Sequence, residues 1–229
     1  MPAAIATKKI LAVLALLAIP MLASCSGGGE SSASPSPLPV VQMDAQQLKA
    51  KLAEFGKGLP KAKVFDDRAL RSSIPAAQEW MENMEVTPSK CGVTFAAPIT
   101  EQLKNSTMGA IEYQDGYLTV ALFKDEETLK EQWEAKLEEN AGCSRYTVKS
   151  GNESRAYHLA KQPIDSPAEM NESYVVTSSN GSSTEQQLIV RSATSNVLIG
   201  LQEPTSKDSA AEQLKAATET MQALLEQLN

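Results

Sequence analysis

Thr107-Met108-Gly109-Ala110-Ile111-Glu112-Tyr113, then Gln114-Asp115-Gly116, then Tyr117-Leu118-Thr119-Val120-Ala121-Leu122-Phe123 is the stretch from which the fold can be read. Two runs rich in β-branched and aromatic residues flank an Asp-Gly dipeptide, which supplies the positive φ that a tight hairpin turn requires. The segment is therefore predicted to be a β-hairpin turning at Asp115-Gly116. Immediately downstream, residues 125–140 switch to helical spacing: Leu129, Trp133 and Leu137 recur every four positions. Asp125, Glu126 and Glu127 sit where acids favour a helix start, and Gly142 sits where a helix stops. The period then falls to two. Residues 144–149, 154–160, 173–179, 185–192 and 197–202 read as strands, separated by Ser150-Gly151-Asn152, Asn180-Gly181 and Thr194-Ser195-Asn196. Residues 206–228 close the chain as a long helix, with Ala210, Leu214, Ala217, Met221, Leu224 and Leu228 on one face. The fold expected is α+β: a single antiparallel sheet of about five to seven strands, with helices packed mainly on one face.

Upstream of the hairpin the signals are weaker. Asp44-Ala45-Gln46-Gln47 has the form of a capping box, with Met43 and Leu48 placed as a hydrophobic staple, so a helix should run from there to Phe55 and stop at Gly56. Residues 57–72 mix charges without a period and read as loop. Residues 75–84 read as a second short helix with Pro75 near its start, where the missing amide costs nothing. Around Cys91 a turn of helix is expected, followed by loop to Asn105.

The beginning of the chain has a different logic. Lys8 and Lys9 precede an uninterrupted apolar run from Ile10 to Ile19, and Leu22-Ala23-Ser24-Cys25 follows Pro20. The run is about half the length of a membrane-crossing helix, and reads as a secretory signal peptide. Leu22-Ala23-Ser24-Cys25 resembles the lipobox of bacterial lipoproteins, in which the cysteine is acylated and becomes the first residue. That resemblance implies residues 1–24 as signal peptide, Cys25 as the lipidation site, and anchoring to the extracytoplasmic face of the cell membrane through fatty acyl chains such as palmitate. More than one acyl chain gives stable anchoring where a single chain is marginal. Residues 25–43, small, polar and proline-rich, read as the lipidated cysteine and a flexible tether. Residues 44–229 form the extracytoplasmic domain.

Loss of Lys8 and Lys9 with the signal peptide shifts the net charge from −7 to −9, and nothing downstream gathers Lys and Arg into a stripe. Nucleic acid is excluded as a partner on that ground. Once Cys25 carries lipid, Cys91 and Cys143 remain as a pair in an oxidising compartment, where a disulfide is the default. They lack the C-x-x-C spacing and neighbouring histidines of a zinc or redox site.

Thr87-Pro88-Ser89-Lys90-Cys91, the hairpin, the helix running into Cys143, the run Asn196-Val197-Leu198-Ile199-Gly200 and the closing helix occur in an order that resembles the PknH-like extracellular sensor domain family. That resemblance covers roughly residues 44–229. It implies an α+β sensor domain of the actinobacterial cell envelope with a cleft for a ligand, and partners that relay any signal. The second cysteine pair usual in the family's later strands is absent here.

Catalytic constellations are thin. His158 is the single histidine, without a G-x-S-x-G or further metal-ligand types to recruit it. Asp125, Glu126 and Glu127 suit a helix start, Glu138 and Glu139 a solvated face, and Trp80 and Trp133 a core. No glycine-rich nucleotide loop occurs. The expectation is a non-enzymatic, cofactor-free and metal-free domain that binds an envelope ligand or protein partner. An envelope hydrolase and a lipid carrier are the alternatives.

Overall fold

A computed structural model describes residues 39–91, 104–114 and 116–229. The predicted signal peptide, Cys25, most of the tether and the loop expected before Asn105 lie outside the described residues.

The element order is α1 (Ala45–Gly56), β1 (Lys63–Phe65), α2 (Asp67–Glu82), β2 (Met84–Thr87), a 3-10 turn (Ser89–Cys91), β3 (Ser106–Tyr113), β4 (Gly116–Phe123), α3 (Glu126–Asn140), β5 (Arg145–Ser150), β6 (Glu153–Lys161), β7 (Met170–Ser179), β8 (Thr184–Thr194), β9 (Val197–Pro204) and α4 (Ala210–Leu228). The strands form one antiparallel sheet in the order β1-β3-β4-β9-β8-β7-β6-β5-β2. Strands β5 to β9 are a continuous meander, and β9 adds the β3–β4 hairpin through pairs such as Val120–Ile199.

The architecture expected from the sequence is α+β with a single antiparallel sheet, and that holds. Two features are corrected. Among the described residues the sheet has nine strands rather than five to seven, because the edges β1 and β2 are only three and four residues long and too short to display alternation. The described helices also divide evenly between the faces. Leu48 and Leu52 of α1 and Leu214, Met221 and Leu224 of α4 pack with Val120, Leu188, Val190 and Ile199 on one face. Leu70 of α2 and Leu129 and Trp133 of α3 pack with Met108, Ala121 and Leu198 on the other.

Local chemistry explains most boundaries. Asp44 accepts from the amides of Gln46 and Gln47, and the Gln47 side chain accepts from the Asp44 amide, so the capping box is complete. Gly109 lets α1 lie close on β3: a Cβ there would come within 2.3 Å of Leu52 Cδ1. The hairpin is present, but its turn is shifted by one residue. Tyr113 pairs with Gly116, so the strands close one position before the turn expected at Asp115-Gly116. Gln114 takes φ +46°, and Gly116 is required instead because a Cβ would lie 2.5 Å from the Tyr113 ring. Asp115 lies outside the described residues.

Residues 57–72 are not loop. They contain β1 and the start of α2, where Asp66 caps the helix by accepting from the Ala69 amide at 2.9 Å. Pro75 therefore sits inside α2 rather than at its start, an interior proline outweighed by the cap and by burial of Leu70. Met84 belongs to β2. In α3, Leu129 and Trp133 are buried as the spacing implies, whereas Leu137 is 43% exposed. The predicted face of α4 is buried at all six positions.

Candidate functional site

The site begins at the turn between β8 and β9. Thr194 pairs with Val197, which leaves Ser195 and Asn196 as a two-residue loop, and Ser195 takes φ +51°. Asn196 is 1% exposed, and its amide does the work of a strand edge. Its Oδ1 accepts from the Val41 amide at 2.8 Å, while its Nδ2 donates to the carbonyls of Val41 and Phe123 at 2.9 and 2.7 Å. The Asn196 carbonyl in turn accepts from the Phe123 amide at 2.9 Å. Ser195 adds a hydroxyl contact to the Pro39 carbonyl at 3.3 Å. The segment by which the chain enters the domain is thus stitched to the sheet by side chains, and Val41 is buried against the α1–α4 core.

A second wall comes from α4, whose last turns present Gln222, Leu225 and Glu226; Gln222 donates to Glu226 at 3.1 Å. The third wall is the connection from β6 to β7. Gln162 and Ser173 exchange two hydrogen bonds, and the Asn171 side chain donates to the Ala168 carbonyl at 2.7 Å while accepting from Ser192 at 2.8 Å. Pro167 and Ala168 are held in place by that network. Between the three walls lies a groove of about 400 Å³, lined mainly by carbon. A void of about 10 Å³, close to the space of one water, adjoins it between Ser192, Thr194, Thr218 and Met221. The Thr194 hydroxyl borders both spaces and has no hydrogen-bond partner. On the other flank of the entering segment, a wide depression of mixed polarity is lined by Gln42, Asp44, Gln47, Thr107 and Lys124 among others.

The groove's side chains can hold a molecule by contact and shape. The lining supplies carbon, the amides of Gln222 and Asn229, the hydroxyl residues Thr194 and Ser195, and the Glu226 carboxylate.

Residues singled out from the sequence lie elsewhere. Cys91 and Cys143 form a disulfide with Cα atoms 5.3 Å apart; both are 2% exposed. The bridge ties the 3-10 turn to the exit of α3 and packs with Tyr146, Val148, Leu159, Val176 and Ile189, on the sheet face opposite the groove. His158 is exposed on β6, paired in register with Arg145. Asp125 caps α3 through the Thr128 hydroxyl and amide, which hold its carboxyl below the usual range. Glu126 pairs with Lys130, and Trp133 is core. The structure therefore gathers none of these into the groove.

Sequence reading also passed over two polar features. One is Asn196, read only as part of a turn. The other lies on the disulfide's face: Arg191 donates to Glu172 at 2.6 Å, with side chains 11% and 5% exposed, and the Tyr174 hydroxyl donates to the same carboxylate at 3.1 Å. Burial, and then the Glu172 charge, push the Tyr174 phenol up to about 12.

The fold is that of an α+β domain built on one antiparallel sheet with helices on both faces. Two solved structures are similar to it. The extracellular domain of PknH from Mycobacterium tuberculosis matches with a TM-score of 0.47 at 10% identity, over 81% of this chain and 93% of that one. An uncharacterised protein from Mycobacterium smegmatis matches with a TM-score of 0.40 at 12% identity, over 78% of this chain and 95% of that one. No family model and no curated protein matches the chain.

Proposed function

We propose that the chain is an exported lipoprotein, acylated at Cys25 and anchored to the outer face of the cell membrane. Its domain serves there as a non-enzymatic, sensor-type module that binds an envelope ligand. The observation that carries the binding role is the groove of about 400 Å³ whose wall includes Pro39 and Val41, the residues that lead back toward Cys25. Export is supported by the buried Cys91–Cys143 bridge, since structural disulfides persist in oxidising compartments. The resemblance of the sequence to PknH-like sensor domains points the same way. An occupant of the groove touches the segment that Asn196 clamps, so occupancy favours the docked form of that segment, and this difference is what a partner can read.

Two measurements test the proposal. Mass analysis of the native protein should find Cys25 as an acylated first residue in the membrane fraction; an intact Met1, or an unmodified Cys25 sulfur, refutes the anchoring. Envelope extract should slow proteolysis within residues 39–44; cleavage unaffected by any extract fraction refutes ligand binding at the groove.

A further inference from the structure

We infer that the groove takes the tail of an uncharged, single-chain amphiphile drawn from the membrane, an inference that rests on the groove being the binding site proposed above. Six of its lining residues, Pro39, Val41, Pro167, Ala168, Val197 and Leu225, are aliphatic or prolyl, and they stand beside Thr194, Ser195, Gln222, Glu226 and Asn229. Among the described residues no aromatic ring lines it, so a sugar or a base finds no stacking platform there, whereas an alkyl chain finds contact with its apolar side chains. About 400 Å³ is at the small end of ligand pockets. With roughly 30 Å³ for each water-sized group, that volume accepts on the order of a dozen methylenes, one chain rather than two.

Charge selects the headgroup. Glu226 lines the groove, the connection that supplies Pro167 and Ala168 also carries Asp165, and the chain from Cys25 onward is net −9. A carboxylate or phosphate beside Glu226 meets like charge, and a glycerol or other uncharged head does not. Supply follows from chain length. Cys25 and Pro39 are 14 positions apart, and covalent geometry limits a chain of that length to a reach of about 50 Å. An acylated Cys25 therefore keeps the groove in continual encounter with bilayer lipid.

The test uses the purified full chain, the uncharged fluorophore N-phenyl-1-naphthylamine as reporter, and monoacylglycerols of 8 to 16 carbons as competitors. Affinity should rise about fourfold per methylene and level off near 12 carbons, where the groove is full. Laurate should compete about tenfold less well than its glycerol ester. E226K should narrow or invert that preference, and A168W, which fills the groove, should abolish competition with little change in melting temperature. If A168W fails to fold, the chain-length series and E226K decide alone.

Affinity without chain-length dependence, a series unaffected by A168W in a folded protein, or a headgroup preference unmoved by E226K overturns the inference. Failure of the acyl chain is separable from failure of the groove. If water-soluble envelope extract raises the melting temperature of wild type but not of A168W, the groove binds and its ligand is not a lipid. If neither aqueous nor organic extract does so, both readings fall.

Discussion

Asn196→Ala removes three hydrogen bonds and strands three backbone groups: the Val41 N–H, the Val41 carbonyl and the Phe123 carbonyl. If the entering segment stayed docked, each group would lose a partner in a site from which water is excluded, at about 1–2 kcal/mol apiece, or about 3–6 kcal/mol together. The segment can instead lift away and rehydrate. That route sacrifices the three bonds and the burial of Val41, about 2 kcal/mol, but recovers conformational entropy of about 1–2 kcal/mol for each freed residue. The cheaper route prevails, so the expected loss is about 3 kcal/mol, out of a total that for most domains is about 5–15 kcal/mol. In urea the midpoint should fall by about 1.5 M, for a slope near 2 kcal/mol/M. Limited proteolysis should cut the variant first within residues 39–44. N196D supplies a sign test. Its carboxylate would face two carbonyl oxygens that the amide NH₂ now satisfies, and it would be buried; both effects favour the protonated form in the folded state. The folded variant then binds more protons than the unfolded chain, so its stability rises as pH falls through the range in which the introduced carboxyl titrates when folded. N196A within about 1 kcal/mol of wild type, with no new cleavage before Asp44, would refute the clamp.

Gly109→Ala should cost about 1–3 kcal/mol, because the added carbon overlaps Leu52 Cδ1 and α1 must move off β3; equilibrium denaturation measures it, and L52A in the same chain should recover part of the loss. Asp66 and Asp125 titrate below the usual carboxylate range, Asp66 through Lys49 and then the Ala69 amide, Asp125 through the Thr128 hydroxyl and then its amide. Their contribution is complete above the ordinary aspartate range, near pH 4, and is lost as pH falls through the lowered folded values. D66N/D125N should therefore flatten the acid limb of the stability curve, read as melting temperature against pH. T194V should raise stability by about 1 kcal/mol in thermal melts, since it replaces an unpartnered buried hydroxyl by a methyl of similar volume.

The elements that announced themselves in the sequence are those whose burial is one-sided and long. Eleven-residue β8, ten-residue β7 and the nineteen-residue α4 carry enough repeats for a period to emerge, and the α4 face was legible residue by residue. The edges were illegible for a complementary reason. Strand β1 is only Lys63–Phe65, and its pairing partners in β3 lie 45 or more positions away, so neither periodicity nor a local turn betrays it. The evenness of the two helical layers was hidden as well: a helix's apolar stripe says that it packs on a sheet, not on which face. The groove was least legible of all. Thr194, Ser195 and Asn196 have the composition of any exposed turn, and what sets Asn196 apart is contact with Val41, 155 positions away. Glu172 and Arg191 likewise carry no local mark of a buried pair, because only the register of β7 on β8 sets them side by side.

The division of the sheet into two unlike faces leads to a last expectation. The groove lies on the face covered by α1 and α4, and the Cys91–Cys143 bridge lies among Tyr146, Leu159 and Val176 on the other. The cysteines are 52 positions apart, and closing a loop of that size constrains the unfolded chain by about 4 kcal/mol on the entropic model. For a domain of this length the melting temperature of C91A/C143A should fall by roughly 8–16 °C. Since the bridge touches neither the Asn196 clamp nor the walls built by α4 and the β6–β7 connection, binding at a temperature well below both transitions should stay within about twofold of wild type. The two quantities therefore separate: a large loss in stability with little loss in affinity. Should affinity instead drop tenfold or more while the variant remains folded, the bridge must shape the groove through the thickness of the sheet, and the two faces would have to be treated as one device.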